Sequence, residues 1–191
     1  MNLSSTLSRI VLGAALAASA QAALAQQQLV PAQSEVQFTA RQMGVPLEGH
    51  FKKFSAQVAF DPAKLATSKI NFTVDTGSAT LGSRETDAEL PKPTWFNVPK
   101  FPQAQFESST IKALGAGKFE VAGKLTIKGN AQNVVVPVTL TQSGATTTAT
   151  GTLPIKRLAF KIGENEWADT SMVADDVTVK FKLALTGVGK L

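Results

Sequence analysis

The stretch Val177-Thr178-Val179-Lys180-Phe181-Lys182-Leu183-Ala184-Leu185 decides the fold class. Val177, Val179, Phe181, Leu183 and Leu185 are apolar, and Thr178, Lys180 and Lys182 stand between them. Side chains on a strand point alternately to opposite faces, so this segment has one dry face and one wet face. The same period of two recurs upstream. Phe119, Val121, Gly123, Leu125 and Ile127 form a second row, and Val134, Val136, Val138 and Leu140 a third. Phe54, Ala56, Val58 and Phe60 form a fourth, and Val36, Phe38, Ala40 and Ile70, Phe72, Val74 add two more. Turn signals separate the rows: Gly115-Ala116-Gly117, Lys128-Gly129-Asn130, Ser143-Gly144 and Gly151. Strands joined by so few residues are antiparallel neighbours, and the C-terminal half reads as a meander.

About eight strands with one apolar face each must hide those faces. A sandwich and a closed barrel both do so, but the barrel also removes exposed edges. Edge protection matters here because the chain has no cysteine and cannot form a disulfide. The expectation is an all-β, eight-stranded antiparallel barrel with one or two short helices. Asp61-Pro62 opens a single turn over 61–66, and Ser83 to Leu90 is helix-competent and stopped by Pro91 and Pro93. The proline- and aromatic-rich segment 91–102 is excluded from a central strand and expected to fold over one end of the sheet as a lid.

The first 25 residues read as a cleaved signal peptide: Arg9, an apolar run over 10–18, and Ala23-Leu24-Ala25 as a small-x-small cleavage site. The domain then covers 26–191, and the expected location is the periplasm. The chain carries a net charge of +5, with Lys and Arg scattered singly rather than in a run, which reads as solvated strand faces and not as a nucleic-acid surface.

Chemistry is sparse. The single histidine, His50, has no G-x-S-x-G nucleophile elbow to serve, so no catalytic residue is assigned. One histidine and no cysteine do not anchor a zinc site, and Asp175-Asp176 and Glu164-Asn165-Glu166 lack calcium-loop spacing. No phosphate-cradling glycine motif follows a strand. No metal and no cofactor are expected. Apolar binding fits the residues better. Phe38, Phe54, Phe60, Phe72, Phe106, Phe119 and Phe181 face inward, and Trp95 sits in the lid segment. Arg41, Arg84 and Trp95 lie near strand ends, where a polar head group would need donors. Each ligand methylene buried against such rows gains roughly 0.8 kcal/mol before ordering costs. Periodicity alone does not separate a filled barrel from a hollow one.

Several segments together resemble the YceI-like family of polyisoprenoid-binding periplasmic proteins. Trp95-Phe96-Asn97 followed by Lys100-Phe101-Pro102-Gln103-Ala104-Gln105-Phe106-Glu107-Ser108 is similar to one family signature. Gly123 to Gly129 (GKLTIKG) resembles a second. Glu48 to Phe54 with Phe60-Asp61, and Arg84 to Leu90, match further landmarks. Gln42-Met43-Gly44 and Asn130-Ala131-Gln132 depart from the common pattern. The resemblance implies an extended lipocalin-like barrel whose elongated pore binds a long isoprenoid or similar amphiphile, and no enzymatic activity. It also implies, as an alternative role, a quinone-handling or docking partner of a membrane b-type cytochrome. A homodimer through an exposed edge or an apolar mouth is a further expectation.

Overall fold

The computed structural model describes residues 27–191, so the expected signal peptide lies outside the described residues. Eleven strands form one antiparallel sheet that curls on itself. In chain order they are β1 (Gln28–Leu29), β2 (Glu35–Gln42), β3 (Val45–Phe51), β4 (Phe54–Ala59), β5 (Lys69–Asp75) and β6 (Ala79–Thr80). A short helix, α1 (Arg84–Glu89), follows, the one α-helix among the described residues. Then come β7 (Gln103–Gly115), β8 (Lys118–Ile127), β9 (Asn130–Ser143), β10 (Thr146–Lys156) and β11 (Asp176–Thr186). The neighbours run β4-β5-β7-β8-β9-β10-β11-β2-β3-β6, with β1 added beside the end of β11. The antiparallel order from β7 to β10 turns after Gly115, Ile127 and Ser143 as the turn signals predict; Gly151, read as a turn signal, is instead an interior residue of β10 paired with Phe181 and Val138, and a long connection leads from β10 to β11. Two of the eleven strands, β1 and β6, are two-residue pieces that period-two reading does not register, and the nine longer ones exceed the expected eight by one.

The wall is curled but not closed by a backbone ladder, which corrects the expectation of an edgeless barrel. β4 ends one side of the path and β6 the other. Side chains stitch the seam at two places. At one, the Gln27 amide donates to the Phe60 carbonyl at 2.6 Å and accepts from the Phe60 N–H at 2.9 Å, imitating one step of a ladder. At the other, the Lys53 N–H donates to Ser78 Oγ and the Asp75 N–H to the Lys53 carbonyl, both at 3.0 Å. A side cleft lies along the seam, lined by Glu35, Gln37, His50, Lys52, Lys53 and Phe54 among others.

β9 and β10 pair only from Ser143/Thr146 to Val138/Gly151 and then separate. Pro137 and Pro154 lie past the last pair, where the missing N–H leaves no ladder bond unmade. The turn Arg157–Phe160 fills this split: Asn130 donates to the Phe160 carbonyl and Gln132 to that of Ala159.

Two apolar clusters occupy the two ends. Phe60, Ile111, Phe119, Val121 and Val136 pack one end, with the Phe60 and Phe119 rings edge to face at 5.4 Å. Ile127, Phe160 and Ile162 pack the other, against Trp95, Phe96, Leu125 and Ile155. The segment 91–102 does fold over this second end. It is a chain of turns held by its own main-chain bonds, such as Phe101 N–H to the Asn97 carbonyl at 2.9 Å.

Candidate functional site: an apolar cavity under a lid

Between the two clusters lies a cavity of about 370 Å³. Its wall is the inward parity of nearly every strand. Val36, Phe38 and Ala40 come from β2, Ala56 and Val58 from β4, Ile70, Phe72 and Val74 from β5, and Val177 through Leu185 in alternation from β11. The lid side adds Leu90, Trp95, Phe96, Ile162, Trp167 and Val173. Charged or polar lining is confined to Gln42, Thr86, Glu89, Thr147 and Arg157.

Glycines opposite phenylalanines keep the interior hollow. Phe38 faces Gly49 directly across the β2–β3 ladder, and Phe181 faces Gly151 across β10–β11. A Cβ built on Gly49 or Gly151 falls 2.3 Å from the ring of its partner. At Gly123 it falls 2.6 Å from the Phe106 ring. Each ring therefore lies flat over a neighbouring strand's bare backbone instead of standing into the lumen.

The predicted ligand-facing residues divide as follows. Phe38, Phe60, Phe72, Trp95, Phe106, Phe119 and Phe181 line the cavity. Phe54 does not: it lies at the start of β4 in the seam cleft and packs its ring 5.9 Å from Phe72. Arg41 and Arg84 are exposed and outside the lining. The parity of β2 turns Gln42 inward and Arg41 out, and α1 presents Thr86 and Glu89 rather than Arg84. His50 is exposed on β3, between Gln37 and Thr80 in the ladders. Among the described residues no three His, Cys, Asp or Glu side chains cluster as a metal site.

The lid end contains what the sequence reading missed. Arg157 is 2% exposed and donates all five guanidinium N–H groups to main-chain carbonyls. Nε reaches Ala174, Nη1 reaches Ile162 and Gly163, and Nη2 reaches Trp167 and Val173, at 2.6–3.0 Å. One side chain thus gathers the loop 162–174 over the barrel end. Burial pushes its pKa down, and the nearby Asp175 carboxylate opposes that shift. Lys128 is buried too, with Nζ bonded to the carbonyls of Pro93 (2.6 Å) and Lys161 (2.7 Å) and to Glu164 (2.7 Å). The hydrogen bond from Lys128 holds the Glu164 carboxyl below its usual range. Lys128 therefore ties both lid segments, 91–102 and 157–173, to the β8–β9 turn. A cation at a turn reads as surface in sequence, and only a long-range set of carbonyls makes it core.

The family model for the YceI-like domain matches residues 27–185. The chain belongs to the YceI-like family. The crystal structure of Burkholderia cenocepacia BcnA shares 51% identity with it, covers 82% of this chain and 98% of that one, and superposes with a TM-score of 0.79. A polyisoprenoid binding domain from Saccharophagus degradans, implicated in plant cell wall breakdown, has the same fold at 13% identity and a TM-score of 0.69, over 84% of this chain and 98% of that one. A UPF0312 protein of Yersinia pestis is 34% identical over 110 residues, 57% of each chain, so the match spans little over half of that relative. A UPF0312 protein of Azotobacter vinelandii is 31% identical over 138 residues, 70% of this chain and 71% of that one.

Proposed function

We propose that this YceI-like chain is a carrier or sequestering protein that holds a long-chain isoprenoid, or a similar amphiphile, inside its barrel. The observation that carries the reading is the apolar cavity of about 370 Å³, lined by alternate side chains of the strands and covered at one end by a lid. That volume lies within the range of small-molecule sites, which bury most of their ligand against apolar side chains. The fold shared with a domain described as polyisoprenoid binding supports the same ligand class.

The carrier works in the periplasm in this reading, delivered there by the N-terminal 25 residues. The test is native mass spectrometry of protein purified from its host's periplasmic fraction, with extraction of the bound lipid. A prenyl-type adduct is expected, together with a higher Tm when prenyl lipid is added to the delipidated protein. Absence of both overturns the proposal.

A further inference from the structure

Among the described residues one buried polar side-chain atom has no hydrogen-bond partner: the indole Nε1 of Trp95. An indole nitrogen is a donor only, and burying a donor without an acceptor is costly. Trp95 lines the cavity, and its ring lies 5.6 Å from that of Trp167, tilted by 46°. Trp167 lines the cavity as well and sits on the loop that Arg157 holds. The cost therefore falls on a tryptophan pair at the lid end of an apolar chamber, where a ligand's polar end would come to rest.

We infer that Trp95 Nε1–H is the donor for the polar end of the ligand, that the Trp95–Trp167 pair parts to admit it, and that the group received is a neutral carbonyl-type oxygen rather than a phosphate. The inference rests on the carrier reading above and adds the ligand's orientation and head chemistry. Its selectivity comes from the surrounding donors. The five N–H groups of Arg157 are all engaged by main-chain carbonyls. The Lys128 ammonium is engaged by two carbonyls and Glu164. Neither buried cation at this end is left open for an anion, and the Glu89 carboxylate on the lining is itself paired with the exposed Lys92. A desolvated phosphate needs several donors, whereas one ketone, ester or similar carbonyl oxygen is matched by one N–H. With the head at Trp95, the tail runs along Phe38, Phe72 and Phe106 toward Phe60 and Phe119.

The experiment compares three prenyl probes of one chain length: geranylgeranylacetone, its parent hydrocarbon and geranylgeranyl phosphate. Affinities are read by displacement of an apolar fluorescent dye from wild type and from Trp95→Phe, which keeps the ring and removes the donor. The ketone is expected to bind wild type most tightly and to lose about fivefold to tenfold in Trp95→Phe, with the hydrocarbon changed less than about twofold. In the wild-type protein the Trp95 indole proton resonance moves downfield with the ketone and not with the hydrocarbon, a readout that does not depend on the variant folding. Equal losses for ketone and hydrocarbon, an unmoved indole proton, or tighter binding of the phosphate overturns the inference while leaving the carrier reading intact. Failure of all three probes to bind wild type overturns both.

Discussion

The two ends of the barrel are built by different physics. The end around Phe60, Ile111, Phe119, Val121 and Val136 is an alternating-strand core, apolar throughout and packed ring against ring. The lid end has an apolar cluster too, but its loops are held by two buried cations, Arg157 and Lys128, whose hydrogens all go to main-chain carbonyls or one carboxylate. The first end is fixed by packing of regular elements. The second is irregular backbone whose carbonyls have no ladder partner, and a guanidinium or ammonium satisfies them from inside. A chamber that admits a ligand has good use for one rigid end and one end whose cover is secured by a few polar anchors.

The sharpest way to break the comparison is Arg157→Met. Five carbonyls lose their donors at once, and a loss of about 3–5 kcal/mol is expected, concentrated at the lid. Hydrogen exchange should show 162–174 deprotected while β7, β8 and β9 keep their protection. Uniform deprotection of all strands would show that the two ends are one cooperative unit. Phe119→Ala tests the opposite end. A cost of about 3–4 kcal/mol is expected from lost burial plus the cavity left beside Phe60, spread over the whole sheet and measured as a drop in denaturant midpoint at unchanged m.

Gly151→Ala probes what keeps the middle open. The new methyl meets the Phe181 ring and the Pro137 carbonyl. The ring must turn into the lumen, costing about 1–3 kcal/mol and weakening binding of any long-chain probe more than that of a short one. Gln27→Ala removes the two-point clasp on Phe60. About 1–2 kcal/mol is expected, with faster hydrogen exchange confined to β4 and the Phe60 amide.

The smallest effect is a pH dependence at the lid. Lys128 holds the Glu164 carboxyl below its ordinary value, so this pair's contribution is fully present above the unfolded carboxylate pKa and is lost as pH falls through the lowered folded value. Because Glu164 is largely solvated, Tm should fall only slightly more steeply on acidification than in Glu164→Gln, and the lid's exchange rates should respond before those of β8. A steeper acid response in Glu164→Gln would reverse the sign of the assignment.

Much of this was legible in the sequence, and the misses are specific. The rows starting at Val36, Phe119, Val134 and Val177 did become the inner wall, because one dry face per strand follows from local alternation. Seven of the eight aromatic residues picked for the interior line the cavity. Phe54 shares the inward parity but sits where β4 begins, and the height of a residue along a barrel is not encoded in its parity. Arg41 was placed by its nearness to a strand end, although the alternation of Val36, Phe38 and Ala40 already turned Gln42 inward instead. Nothing local marks Arg157 or Lys128 as buried, since both follow strands and precede turns, as surface cations do.

By itself the sequence determined the β class, the antiparallel meander from β7 to β10, the lid over 91–102 and the uncharged character of the inner rows. Each of these follows from interactions within a few residues: alternation, turn chemistry and the missing donor of proline. Only the tertiary structure decided that the interior is hollow, that the wall keeps a seam beside β4, and that the lid is anchored by buried cations. Those features depend on which glycine faces which phenylalanine and which carbonyls converge on one guanidinium, and such pairings are set by register between strands far apart in the chain.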